Sequence, residues 1–141
     1  MAGRYVYEHR RKYEHMIPQE ATVWNRFITA YPEKFDSCDY DWRVGDGMIL
    51  NPDWEENIKR MAVMITQKRI DVLAWNGENP TIIEIKNRAE LSTMGQIIGY
   101  HDLFVKDFPN FPAPVLLVVC HMVTPDDRYV MEKHDIKIIE V

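Results

Sequence analysis

Two apolar segments carry ionisable residues at positions where a buried strand rarely accepts them. RIDVLAWN (69–76) and PTIIEIKN (80–87) are separated by a short turn sequence. Their β-branched and aromatic residues predict the two strands of a hairpin. Asp71 interrupts the first strand, and Glu84 and Lys86 interrupt the second. Because burying a charged group without a partner is costly, these three residues need a partner or a function.

The turn sequence NGEN predicts the register of this hairpin. If its centre lies between Gly77 and Glu78, the numbers of paired residues add up to 155. Asp71 then faces Glu84, and directly opposed residues have Cβ atoms roughly 4.5–5.5 Å apart. Two ionised carboxylates at that distance repel each other, so that one tends to stay protonated. A divalent metal resolves this conflict, and hard oxygen ligands favour Mg²⁺ or Mn²⁺ over Zn²⁺.

The second strand supplies further groups for phosphodiester chemistry. Glu84 and Lys86 are two residues apart, so both project from the same face, and the backbone carbonyl of Ile85 between them can bind the metal. The Lys86 ammonium can hold an attacking water or stabilise charge that develops on a phosphate. This grouping predicts metal-dependent phosphodiester hydrolysis. The alternative is a structural cluster without a metal, in which Asp71 pairs with Lys86 and Glu84 pairs with Arg69.

A helix is predicted after the hairpin, over about residues 92–106. Gln96 and Tyr100 are four residues apart and therefore share one face of this helix. Gly95 and Gly99 are also four apart, and each costs roughly 1 kcal/mol in a helix interior. The two glycines thus indicate close approach by the sheet or by a nucleic-acid backbone. Alternatively, Gln96 and Tyr100 form a solvated edge and the glycines serve packing alone.

The chain before the hairpin predicts two more helices and a strand. The sequence of residues 1–16 is compatible with an edge strand, an N-terminal arm or a helix. A helix begins at Pro18, and its Glu20 either faces the helix dipole or points at the catalytic centre. A strand follows, with Tyr40, Trp42 and Val44 alternating against charged residues. The next helix is predicted over 51–66, with Asn51 as its N-cap and Pro52 as its first residue.

The last third of the chain completes an α/β pattern. It predicts a buried strand over 114–123, a short helix over 126–134 and a closing strand over 136–141. The whole order is helix, strand, helix, strand, strand, helix, strand, helix, strand. A chain of 141 residues fits one domain. We therefore expect a single α/β domain (1–141) with a central mixed β-sheet flanked by helices.

The charged residues of the hairpin resemble the signature of the PD-(D/E)XK nuclease superfamily. Asp71, Glu84 and Lys86 stand in its three motif places. Gln96-x-x-x-Tyr100 resembles the QxxxY motif of the RecB-like branch of that superfamily. The resemblance implies a Mg²⁺-dependent (or Mn²⁺-dependent) nuclease that hydrolyses DNA, with these five residues in its catalytic site.

The resemblance extends to the order of elements. The order is similar to the restriction-endonuclease-like αβββαβ core of the family, apart from the 51–66 helix, which looks like an insertion. The proline of the family name is absent, because Ile70 precedes Asp71. An acid on the first helix often joins the metal site in such families, which makes Glu20 a further candidate metal ligand beside Asp71, Glu84 and the Ile85 carbonyl.

Composition narrows the class of nuclease. Two cysteines are too few for the cysteine-ligated iron–sulfur cluster found in part of the RecB-like branch, so the chain resembles small stand-alone nucleases, many of them carried by phages. No apolar run approaches the roughly 20 residues that span a bilayer, and no signal-peptide pattern opens the chain. We therefore expect no membrane partner and a cytoplasmic protein, in the host cytoplasm if it is viral.

The sequence leaves both the oligomeric state and the mode of DNA binding undecided. A small domain offers little surface for gripping DNA, which leaves a homodimer or a larger complex open. The net charge of −5 argues against a general nucleic-acid coat protein. The same charge is consistent with an alternative function. In it, the protein is a catalytically inactive nuclease-fold module that binds nucleic acid or assembles a phage or repair complex.

Overall fold

The strands lie in the sheet in the order in which they occur in the chain. The computed structural model describes residues 2–141, and within them it contains one six-stranded sheet. The strands are β1 (Tyr5–Val6), β2 (Ser37–Val44), β3 (Lys68–Asn76), β4 (Asn79–Ala89), β5 (Val115–Val123) and β6 (Ile136–Glu140). Neighbours from β1 to β4 are antiparallel, whereas β4, β5 and β6 are parallel. The predicted mixed sheet is confirmed.

The helices also follow the predicted order. They are α1 (Pro18–Ala30), α2 (Glu56–Thr66), α3 (Leu91–Asp107) and α4 (Pro125–Lys133). Of the alternatives for residues 1–16, an edge strand is present, since β1 pairs Tyr5 with Cys38 of β2. Met1 lies outside the described residues. In the part of the chain from residue 2 onward, no helix is long and apolar enough to cross a membrane.

The predicted start of the second helix is wrong. This helix begins at Glu56, and its N-cap residue Glu55 makes no side-chain capping hydrogen bond. Asn51 instead accepts a hydrogen bond from the backbone N–H of Asp53 through its side chain (2.9 Å). Its carbonyl accepts another from Trp54 (3.3 Å). Asn51 therefore stabilises a separate turn, which competes with a helix that would start at Pro52.

Helices cover both faces of the central strands. On one face, the apolar stripe of α1 packs against β4 residues that include Ile83 and Ile85. On the other face, the apolar residues of α3, among them Ile97 and Phe104, pack with Ile82 and with residues of β5. Because side chains alternate along a strand, Glu84 and Lys86 project from the face of β4 that carries Ile82.

The side-chain alternation of β2 breaks at Asp41. Tyr40 packs in the core cluster on the α1 face, whereas Trp42 and Val44 pack with the cluster on the α3 face. Asp41 itself has a left-handed backbone (φ 55°), a conformation that aspartate tolerates better than most residues. The prediction that Tyr40, Trp42 and Val44 share one face is therefore wrong.

The neighbouring strand β3 breaks at the same level. Val72 packs on the α1 face and Ile70 packs on the α3 face, although residues two apart on a regular strand share a face. Asp71 lies between them, in the interval between the pairs Tyr40–Val72 and Trp42–Ile70 that also contains Asp41. The irregularity of both strands therefore coincides with the first of the predicted site residues.

Candidate active site

The hairpin has the register that its turn sequence predicts. The paired residues of β3 and β4 run from Asn76 with Asn79 to Val72 with Ile83, and their numbers add up to 155. Asp71 and Glu84 are the next residues on their strands, directly beyond the last pair.

Asp71 is tied to the backbone of the opposite strand. Its Oδ2 accepts a hydrogen bond from the backbone N–H of Ile85 (2.9 Å). In a β-strand the N–H and C=O of one residue point to the same side, as the bonding pattern of an antiparallel pair requires. The carbonyl of Ile85 therefore also points toward β3, the side on which Asp71 lies.

Glu84 is buried with an unsatisfied oxygen. The residue is 3% exposed, and its Oε2 has no hydrogen-bond partner. Its Oε1 lies 3.8 Å from Nζ of Lys86, whose side chain is 32% exposed. Leaving a buried carboxylate oxygen without a partner is costly. The site thus presents an acceptor atom that requires a proton or a cation.

The two carboxyl groups cannot both ionise at low cost. Burial, and then the charge of Asp71, raise the pKa of Glu84 to about 10. Burial also raises the pKa of Asp71, against the lowering effect of hydrogen bonds with the Glu84 side chain and the Ile85 backbone and of the charge of Lys86. Without a cation, the pair is therefore expected to retain a proton near neutral pH.

Glu20 comes close to this pair but does not complete a cluster. The pKa of Glu20 is raised by burial and then by the charge of Asp71, and it is lowered by a backbone hydrogen bond from Ile17 and by Lys86. The first helix therefore brings its acid within electrostatic range of the site. Within residues 2–141, however, no three His, Cys, Asp or Glu side chains are grouped closely enough to hold a metal ion.

The helix α3 carries Gln96 and Tyr100, and Tyr100 lies within electrostatic range of the two carboxylates. Burial, then the charges of Glu84 and Asp71, raise the pKa of Tyr100, so its hydroxyl stays protonated at neutral pH. Gln96 is exposed. Both residues line a cavity of about 420 Å³, which extends to Lys68 at the start of β3.

The glycines of α3 face open space in this cavity. A Cβ atom added at Gly95 or at Gly99 would meet no atom within 4 Å. Close approach by the sheet therefore does not explain them. Close approach by a nucleic-acid backbone stays a prediction.

A cluster around Asp41 was missed in the sequence. Asp41 is 8% exposed, and His15 Nε2 lies 3.1 Å from its Oδ2. The guanidinium groups of Arg43 and Arg69 approach its oxygens at 3.9 and 3.8 Å. The metal-free alternative requires Arg69 to pair with Glu84. In the structure Arg69 pairs with Asp41 instead. The strand alternation placed Asp41 on the charged, solvent side, so no sequence signal predicted its burial.

Comparisons with known proteins support the fold. No protein-family model matches the sequence, and no curated protein matches it at a significant level. Among solved structures, the chain is similar to a repair endonuclease from Pyrococcus abyssi, with 14% identity and a TM-score of 0.53, over 94% of this chain and 49% of that chain. It is also similar to the protein of an EndoMS–dsDNA complex, with 14% identity and a TM-score of 0.51, over 94% of this chain and 48% of that chain.

These similarities confirm the predicted nuclease-like α/β fold. At such low identity they show the fold alone, and this chain spans about half the length of each solved chain.

Proposed function

We propose that this protein is a metal-dependent deoxyribonuclease of the PD-(D/E)XK type. The observation that carries the proposal is the buried Asp71–Glu84 pair, in which Oε2 of Glu84 has no partner and Lys86 stands next to the other oxygen. A DNA substrate is supported by the fold, because the two similar structures are a repair endonuclease and an EndoMS–dsDNA complex.

The donor atoms of the site fit a hard divalent cation. Asp71 and Glu84 would hold Mg²⁺ or Mn²⁺ through carboxylate oxygens, and the carbonyl of Ile85 points to the same side of the strand. The unpartnered Oε2 of Glu84 and the raised pKa of this residue are what a site with a missing positive charge should show. When bound, the ion would neutralise charge on the phosphate and make a water more acidic.

The remaining residues of the site can bind the phosphate, orient the DNA strand and donate hydrogen bonds. The partly exposed ammonium of Lys86 can donate hydrogen bonds to an attacking water or to a phosphate oxygen, which stabilises the charge that develops there. Tyr100 keeps its proton and can donate to a phosphate, and Gln96 can orient the DNA strand at the rim of the groove. Glu20 assists from α1 by adding negative charge near Asp71.

Membership of the RecB-like branch is part of the proposal. Gln96 and Tyr100 line one cavity, and Tyr100 lies within electrostatic range of both carboxylates. This arrangement supports a QxxxY motif that works together with the hairpin residues.

The direct test is cleavage by the purified protein. Single-stranded, duplex and branched DNA are incubated with the wild type in Mg²⁺ or Mn²⁺, beside Lys86→Ala and the control Lys137→Ala, which removes an exposed lysine of β6. We expect cleavage of at least one substrate, a loss of about 100-fold or more for Lys86→Ala, and no change for the control. No cleavage of any substrate, or full activity of Lys86→Ala, contradicts the proposal. DNA binding without cleavage by the wild type would instead support the inactive binding module.

A further inference from the structure

The helix α2 leaves its apolar face uncovered. None of its residues is buried, and Ile58, Met61 and Ile65 are 42%, 58% and 68% exposed. The segment that leads into the helix adds further exposed apolar side chains. We name these exposed side chains the α2 surface: Met48, Ile49, Leu50, Trp54, Ile58, Met61, Met64 and Ile65. Five of them, Leu50, Trp54, Ile58, Met61 and Ile65, line one cavity of about 270 Å³.

Hydrogen bonds at one end tether the helix to the domain. Thr66 Oγ1 accepts a hydrogen bond from the backbone N–H of Met48 (2.6 Å), and the side-chain amide of Gln67 donates to the carbonyl of Gly45 (2.7 Å). A helix of 11 residues is marginal in water unless its apolar face packs on something. The structure therefore indicates that the α2 surface is covered in the working protein.

We propose that the α2 surface is covered by the same surface of a second copy of this chain, in a dimer with twofold symmetry. Its eight large apolar side chains are each 36–68% exposed. Together they present an area on the order of the roughly 800 Å² per partner that a specific protein interface buries. A self-complementary contact about a twofold axis is the commonest way in which soluble chains associate.

The arrangement of residues on α2 fits such a contact. Ile58, Met61 and Ile65 follow the spacing of three and four residues that two packed helices use as a seam. Met61 is the central residue of α2, so the twofold axis passes next to it.

The first experiment measures the oligomeric state without DNA, so its outcome does not depend on the nuclease proposal. Sedimentation velocity over a concentration series should show a dimer for the wild type. Met61→Glu should weaken the dimer by at least about 100-fold, because a charge would be buried at the centre of the interface. The matched control is Met122→Glu, a substitution of a methionine on β5 that is 49% exposed. It should leave the dimer intact.

A second experiment locates the axis and does not depend on a destabilising charge. Met61→Cys should form a disulfide-linked dimer under mild oxidation, since each copy presents this position to its partner. Met122→Cys should not, and the native Cys38 and Cys120 are buried. A wild type that is monomeric at every concentration would overturn the proposal and assign the surface to another partner. A dimer that persists in Met61→Glu, or equal cross-linking of both cysteine variants, would also overturn it.

Discussion

Asp71 and Glu84 lie next to each other beyond the last paired residues of the hairpin, and the charge of Asp71 adds to burial in raising the pKa of Glu84. The ammonium of Lys86 lies 3.8 Å from one oxygen of Glu84, and it does not satisfy the other. The negative charge of the pair is therefore not balanced by Lys86 alone. Either a proton or a divalent cation can balance it, so the proton and the metal ion compete for this site.

This competition predicts that metal binding releases protons. At pH 7, Glu84 should be protonated in the metal-free protein, because its pKa is raised to about 10. Titration with Mn²⁺ should then release about one proton, and the measured heat should change with the ionisation enthalpy of the buffer. Calorimetry in two buffers of equal pH measures this difference. Asp71→Asn should abolish binding, and Asp126→Asn, on the surface of α4, should not affect it. Equal heats in both buffers contradict the prediction.

The same pKa shift predicts how the stability of the metal-free protein depends on pH. The folded state holds the proton of Glu84 more tightly than the unfolded state, in which the pKa is near 4.5. The stability that this residue contributes is therefore fully present below pH 4.5, and it is lost as the pH rises toward about 10. The loss can reach roughly 1.4 kcal/mol per pH unit for one proton.

Urea denaturation of the metal-free protein between pH 5 and pH 9 checks this dependence. Glu84→Gln cannot titrate at this position, so its free energy of unfolding should fall less steeply with pH than that of the wild type. Saturating Mn²⁺ should flatten the profile of the wild type as well, because the ion replaces the proton. Parallel pH profiles of the two proteins, without metal, would show that Glu84 is not the buried acid.

The parts of this structure that the sequence predicts are those with local causes. The NGEN turn determines the hairpin register by its length, so the neighbourhood of Asp71 and Glu84 follows from counting residues. Pro18 begins the first helix, because its fixed φ and missing N–H suit a first turn. The strand β5 follows from a run of apolar residues, but the prediction that it is buried throughout is wrong, because only its middle, from Leu117 to Cys120, and Val123 are buried, while Val115 and Met122 are exposed.

The parts that the sequence does not predict depend on distant residues. Asp41 is buried because His15, Arg43 and Arg69 surround it, and two of these come from elsewhere in the chain. The alternation of β2 gave no sign of the break at this residue. Whether Gly99 packs on the sheet or faces a groove depends equally on what surrounds α3, and no local pattern shows it.

Glu20 allows the role of a nearby acid to be separated from that of a metal ligand. It lies within electrostatic range of Asp71 but outside any cluster of three ligands in the described chain. Glu20→Gln should therefore lower the affinity for Mn²⁺ by less than about 10-fold, a loss of up to about 1.4 kcal/mol.

The second readout for Glu20 is stability. Burial and the charge of Asp71 raise the pKa of Glu20, so the folded state disfavours its ionised form, and Glu20→Gln should not lower the free energy of unfolding at pH 7. Calorimetry and urea denaturation on the same preparation give both values. If Mn²⁺ binding disappears in Glu20→Gln as it does in Asp71→Asn, Glu20 is itself a metal ligand.

The open space beside Gly99 in α3 predicts that an alanine there raises stability and weakens DNA binding. Gly99→Ala should raise the free energy of unfolding by roughly 1 kcal/mol, because alanine favours a helix and its Cβ meets no atom. The added methyl group enters the groove that Gln96 and Tyr100 line, so KM for DNA should rise while kcat changes little. Val105→Ala, at a 41% exposed position of the same helix, is the control for helix propensity. It should keep the KM of the wild type. If Gly99→Ala is more stable and equally active, DNA does not approach this face of α3.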